Sequence, residues 1–162
     1  MVINLILRNI REEPVDPSSL VMLDIKSVTE KALAEYVFQP GEWDKLAADL
    51  DDSFEFKGDE GLVIFIIFNL LRNALFYAAA ATLQIMITAD AMHKTLTIRD
   101  HGPGIPQDKL EAIFDNFVTS GKNQGTGLGL PFCKRGMEDM GDSIHCNSDL
   151  DQYTEFVLKF AT

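Results

Sequence analysis

Two glycine clusters dominate the chemistry this chain can offer: DHGPG at 100–104 and GTGLG at 125–129, separated by an apolar-aromatic segment. Glycines at this density leave backbone amides uncovered and permit positive φ, so the chain can approach a ligand closely. The second cluster runs straight into a helical pattern, LPFCKRGMEDM. Free N–H groups at such a helix start form a cradle for phosphate oxygens. The first cluster opens with Asp100 at a strand end, an acceptor suited to an amino group on a base. Neither cluster fits a P-loop, which needs Gly-Lys-Ser/Thr, or a Rossmann turn, which needs GxGxxG between strand and helix. Upstream, Asn69 and Asn73 stand four residues apart in an apolar stretch and so share one helix face. Amides in that setting are costly unless partnered. They are either satisfied within the core, or the Asn73 oxygen serves a hard cation such as Mg²⁺ beside bound phosphates.

The elements that must position these groups follow from periodicity. A long helix starts at Gly58-Asp59-Glu60, with acidic residues where its dipole favours them; Ile64, Phe68, Leu71 and Leu75 cover much of its surface. Strands are expected at 84–89 and 94–100, where Leu96, Ile98 and Asp100 share one parity, so Asp100 faces the core side. A short helix ends at Ile113-Phe114, and Pro131 sits harmlessly in the first turn of the last helix. Segments 143–148 and 153–160 read as a closing hairpin with Phe156, Leu158 and Phe160 inward. Ahead of all this, LILRNI and the linker REEPVDPSS occupy residues 1–19. Ser18, Ser19 and Asp24 offer caps to a helix over 25–37 with Val28, Ala32, Leu33 and Tyr36 on one face, stopped by Pro40-Gly41. A short strand or turn over 43–50 and a strand over 53–57 complete an α+β two-layer sandwich, a mixed, mostly antiparallel sheet with helices on one face.

Length, charge and thiols narrow the function. At 162 residues the chain holds one core, and its net charge of −11 excludes a nucleic-acid surface. Any polyphosphate must then rely on metal ion, glycine amides and helix dipole. Cys133 and Cys146 lack metal-ligand spacing, no signal peptide precedes them, and both read as reduced, core-filling thiols of a cytoplasmic domain. The apolar run over 62–87 is not read as a membrane span. Arg72 and Asn73 fall in its middle, and an arginine at a bilayer centre costs roughly 2.5–3.5 kcal/mol.

In order, FNLLRNALFY, DHGPGI, IFDNFVTS and GTGLGL resemble the asparagine, first glycine, phenylalanine and second glycine boxes of the histidine-kinase catalytic and ATP-binding domain, across about residues 58–160. The resemblance implies the Bergerat ATP-binding fold, with ATP and Mg²⁺ as ligands. It implies that Asn73, of the Asn73-Ala74 pair, ligates the metal, with Asn69 beside it in the catalytic face. Asp100 would accept from the adenine amino group, Gly102 and Gly104 would let the base lie against the backbone, and Ile105 would form an apolar wall. Phe114, Phe117 and Thr119 would anchor the hinge of a lid over 120–124. Lys122 would reach a terminal phosphate or remain solvated, and Gly125, Thr126, Gly127, Leu128 and Gly129 would cradle the phosphates. Residues 1–19 would be the end of a dimerisation helix and its linker, and 20–162 the catalytic domain.

Two features depart from the family. Phe76 stands where many members carry a lysine or arginine that meets phosphate, leaving Tyr77, Arg72 or Lys122 to compensate. The usual glycine pair after the last helix is Gly141-Asp142. The segments NALFYA, GLPFCKRGM and YTEFVLKF look most like quorum-sensing hybrid kinases that sense α-hydroxyketones.

The implied function is transfer of the γ-phosphate of Mg·ATP to a histidine on a separate helical domain of the same, membrane-anchored parent, which then serves a response regulator or receiver domain. His93, His101 and His145 all lack the phosphoacceptor setting. A self-sufficient ATPase of the same fold uses a glutamate one turn before the metal asparagine, where this chain has Asn69, which cannot take a proton at neutral pH. A nucleotide-binding regulatory module, or a serine kinase of the anti-sigma type, is the remaining alternative.

Overall fold

The computed structural model describes residues 15–77, 84–115 and 129–161. Strand β1 (Val21–Asp24) leads directly into α1 (Ile25–Glu35). Asp24 is the hinge between them: its carboxylate caps α1 by accepting from Ser27 N at 2.9 Å and accepts from Ser53 Oγ at 2.7 Å. These donors hold its carboxyl below the usual carboxylate range, with Ser53 the largest contributor. The helix stops two residues earlier than its apolar pattern suggests, because Tyr36 turns to extended geometry (ψ 135°). Ser18 and Ser19 do not cap α1; they lie in a 3-10 turn, Pro17–Ser19, capped by Asp16.

A 3-10 turn, Trp43–Lys45, precedes β2 (Leu46–Asp49), so the 43–50 segment is turn and strand together. Strand β3 (Glu55–Gly58) begins after Phe54 and pairs antiparallel with β1, a strand the sequence reading did not anticipate. Helix α2 (Glu60–Tyr77) is opened by Asp59, whose Oδ1 accepts from Leu62 N at 3.0 Å. Its buried residues, among them Leu62, Ile66, Leu70 and Leu71, lie on more than one face because α2 packs between α1, α3 and the sheet. It is the one described helix apolar and long enough to cross a membrane. Core packing accounts for that composition.

Strands β4 (Ile85–Asp90), β5 (Thr95–Asp100), β6 (Ser143–Asp149) and β7 (Tyr153–Lys159) join β2 in a five-stranded sheet ordered β2-β4-β5-β7-β6. Only β2–β4 among these neighbours is parallel. Alternation holds: Leu96, Ile98 and Asp100 of β5 are buried, as are Phe156 and Leu158 of β7. The expected short helix before residue 115 is two 3-10 turns, Gln107–Lys109 and Ala112–Phe114. Helix α3 (Gly129–Asp139) lies against α2 through Gly136, where an added Cβ would come within 3.1 Å of Ile66 Cδ1. Gly141 (φ +82°) ends it, with Asp142 N donating to Met137 O at 2.8 Å. Val15 is already packed in the core, ahead of the expected domain start at residue 20.

Candidate functional site

At one end of the sheet the alternating apolar face gives way to polar groups. Across β6, β7 and β5, Ser148 is registered with Thr154 and Thr154 with Asp100. All three are buried, at 7%, 4% and 1% exposure. One register step inward the same positions are Cys146, Phe156 and Ile98. A buried carboxylate at such an end is energetically expensive, and burial raises the Asp100 pKa to about 6. Its Oδ1 accepts from Gly102 N at 2.9 Å, which opposes that rise without cancelling it. Among the described residues no cation forms an ion pair with it.

The 101–107 loop is held by specific bonds. Ile105 N donates to Ser148 Oγ at 2.6 Å, Gln107 Nε2 to Ser148 O at 2.8 Å, and Asp151 N to Pro103 O at 2.7 Å. His101 Nδ1 lies 3.1 Å from Gln84 O. The two glycines differ. A Cβ on Gly102 would fall 2.8 Å from Asp100 Oδ1 and 3.2 Å from Tyr77 Cβ, so its bareness lets the loop lie between the carboxylate and the end of α2. Gly104 (φ +76°) presses instead on the β6–β7 turn, where a Cβ would fall 2.5 Å from Asp149 O. Its close approach is therefore to protein backbone. Ile105 is buried beside it.

Helix α2 brings Asn69, Asn73 and Tyr77 to the same end at successive turns. Asn69 Nδ2 donates back to Phe65 O at 2.9 Å. Its Oδ1 faces the first residue of α3, where a Cβ on Gly129 would fall only 2.8 Å away. The space beside Asn69 at the start of α3 thus suits glycine. Asn73 is half-buried, and its amide has no hydrogen-bond partner among the described residues. Its oxygen is a hard donor that fits a divalent cation bound with phosphates. Phe76 is 47% exposed and meets Tyr77 edge to face, with centroids 5.3 Å apart.

Phe117, Thr119, Lys122, Gly125, Thr126, Gly127 and Leu128, and the expected lid with them, lie outside the described residues. Phe114 is described and stacks edge-on with Phe156 at 6.3 Å. The sequence reading missed Ser148 and Thr154. The parity that placed Asp100 inward extends to Thr154, two residues before Phe156, but the registration joining them is visible only once β5 and β7 pair.

Comparison with known proteins identifies the family. Residues 58–162 match the family of histidine kinase-, DNA gyrase B-, and HSP90-like ATPases. The CAI-1 autoinducer sensor kinase/phosphatase CqsS of Vibrio cholerae is 37% identical over 160 residues, which is 98% of this chain and 23% of that protein. The autoinducer 1 sensor kinase/phosphatase LuxN of Vibrio campbellii is 33% identical over 162 residues, 98% of this chain and 19% of that protein. Among solved structures, full-length ShkA in complex with AMPPNP superposes with a TM-score of 0.78 at 25% identity, covering 98% of this chain and 35% of that one. The catalytic domain of histidine kinase ThkA gives a TM-score of 0.69 at 23% identity, covering 87% of this chain and 94% of that one. The chain belongs to the histidine kinase-, DNA gyrase B-, and HSP90-like ATPase family and is an ATP-binding catalytic domain of the sensor histidine kinase kind.

Proposed function

We propose that this domain delivers the γ-phosphoryl group of ATP to a histidine on a helical dimerisation domain of the same parent. From there it would pass to a receiver domain or response regulator. The observation that carries the reading is Asp100, a nearly inaccessible carboxylate whose one backbone donor among the described residues is Gly102. A group kept there at the cost of burial has a use when a ligand brings it a donor, and the adenine amino group is such a donor. Gly102 and Tyr77 then bound the base, and Ile105 supplies apolar contact. The Asn73 oxygen would hold Mg²⁺, which when bound supplies charge neutralisation across the phosphates. Gly129 and the residues before it would meet phosphate oxygens with backbone amides at the start of α3.

Asn69 decides between transfer and hydrolysis. Its amide takes no proton, and its Nδ2 already donates to Phe65 O, so water lacks a base at this position. That supports a kinase needing a separate acceptor over a self-sufficient ATPase. The likeness to CqsS and LuxN over nearly the whole chain supports a quorum-sensing parent, with this portion on the cytoplasmic side of a membrane receptor and with residues 1–19 leading in from the dimerisation helix. Incubating the domain with the parent's helical domain and γ-labelled Mg·ATP should produce an acid-labile, base-stable phosphohistidine. Label on serine, or none while nucleotide binds, would overturn the transfer reading.

A further inference from the structure

Thr154 stands beside Asp100, and the direction of its hydroxyl is set from the other side by Ser148. The Ser148 Oγ has one proton and two lone pairs. Its proton goes to Tyr153 O at 2.9 Å, and one lone pair takes Ile105 N–H at 2.6 Å. Thr154 Oγ1 lies 3.1 Å away. With the serine proton already used, the only bond open between the two hydroxyls has Thr154 donating to Ser148. Thr154 then has no proton left to offer and presents lone pairs alone. Directly across the strand pair is Asp100, itself an acceptor when ionised; cross-strand neighbours in an antiparallel pair have Cβ atoms about 4.5–5.5 Å apart.

We propose that Ser148 is a positioning residue for base selection. By fixing Thr154 as an acceptor, it makes this end of the sheet a pair of acceptors, Asp100 and Thr154, suited to the two hydrogens of an exocyclic amino group. A ligand with a carbonyl at that position faces lone pairs on both sides and is rejected. The same serine also fastens the loop: Ile105 N binds its hydroxyl and Gln107 Nε2 binds its carbonyl. The two roles are separable, because Gln107 supports the loop without touching the hydroxyl chain. This inference rests on the ATP-binding reading above.

The test is calorimetric affinity for ADP and for inosine diphosphate, which carries a carbonyl in place of the amino group. Wild-type protein that binds neither nucleotide would refute the ATP-binding reading itself. Wild-type binding with a strong preference for ADP sets the reference. Ser148→Ala frees the Thr154 proton to turn toward a carbonyl, so the ADP preference should drop about tenfold, the ratio that one hydrogen bond commands. Gln107→Ala should weaken both nucleotides alike and keep the ratio. A Ser148→Ala protein that folds, binds ADP and keeps the wild-type ratio overturns the proposal, as does an equal loss of affinity for both. Should Ser148→Ala fail to fold, the Thr154 side answers the question. Thr154→Val should lose the preference while Thr154→Ser keeps it, and a Thr154→Val ratio equal to wild type overturns the proposal.

Discussion

At the scale of the residue, the charge state of Asp100 ties the proposed base contact to stability. Burial raises its pKa from the ordinary 3.8 to about 6. The folded domain therefore holds a proton that the unfolded chain has released between those values, and the folded state loses stability as pH rises through about 6. Asp100→Asn keeps an oxygen for Gly102 N but removes the charge. The apo domain should melt roughly 3–8 °C higher as Asp100→Asn at pH 8, with the difference shrinking as pH falls from about 6 toward 3.8 and vanishing below that. Nucleotide binding should behave oppositely. Wild-type affinity should climb as pH rises through about 6, because the carboxylate then offers only lone pairs, whereas Asp100→Asn should bind weakly at every pH. Calorimetry across pH 5–8 on both proteins checks the pair, and a flat wild-type profile would remove Asp100 from the base site. Asn69 and Gly129 make a second residue-scale case. Gly129→Ala places a methyl 2.8 Å from Asn69 Oδ1, so it should destabilise by about 1–3 kcal/mol. In an Asn69→Ala background the same change should be neutral or stabilising, since the obstruction is gone and alanine favours helix. Additive losses in chemical denaturation would show that the contact carries no strain.

At the scale of the element, α1 contains a correctable defect. Thr29 is fully buried, and its hydroxyl has no hydrogen-bond partner among the described residues. Thr29→Val keeps the shape and removes the unpaired group, so it should raise stability by about 1 kcal/mol by denaturant titration. A loss would mean the hydroxyl has a partner. Elements also show what local pattern can and cannot reveal. The parity of Leu96, Ile98 and Asp100 is a local property, and it placed Asp100 on the buried face of β5. The spacing of Asn69 and Asn73 placed both on one face of α2 for the same reason. Strand β1 was not legible. VMLD is four residues long, half of it exposed, and it is a strand only because β3 pairs with it some thirty residues later. Likewise, the parallel partnership of β2 with β4 and the Ser148–Thr154–Asp100 row are products of pairing between distant segments. The helix expected before residue 115 became two 3-10 turns, as the loop there is bound to the β6–β7 end through Ile105 and Gln107.

At the scale of the whole molecule, two missing groups combine into one prediction. Phosphoryl transfer needs an acceptor, and the three histidines of this chain do not present one: His93 sits in the β4–β5 turn bonded to Asp90, His101 lies against Gln84 O, and His145 is exposed on β6. Hydrolysis needs a base for water, and the position one turn before Asn73 carries an amide already engaged by Phe65 O. The isolated chain should therefore bind Mg·ATP, release phosphate very slowly and label itself hardly at all. Supplying in trans the histidine-bearing helical domain proposed above should permit labelling, on histidine, because an acceptor imidazole is then present. Asn73→Ala should abolish that labelling while ADP binding measured without Mg²⁺ is largely kept, if the lost oxygen is the proposed metal ligand and the proposed base contacts are untouched. Asn69→Ala should leave the slow phosphate release of the isolated chain slow, because no base is removed. Brisk release by the isolated wild-type chain would instead require a base elsewhere in the site, and it would place the domain with the ATP-hydrolysing members of its family.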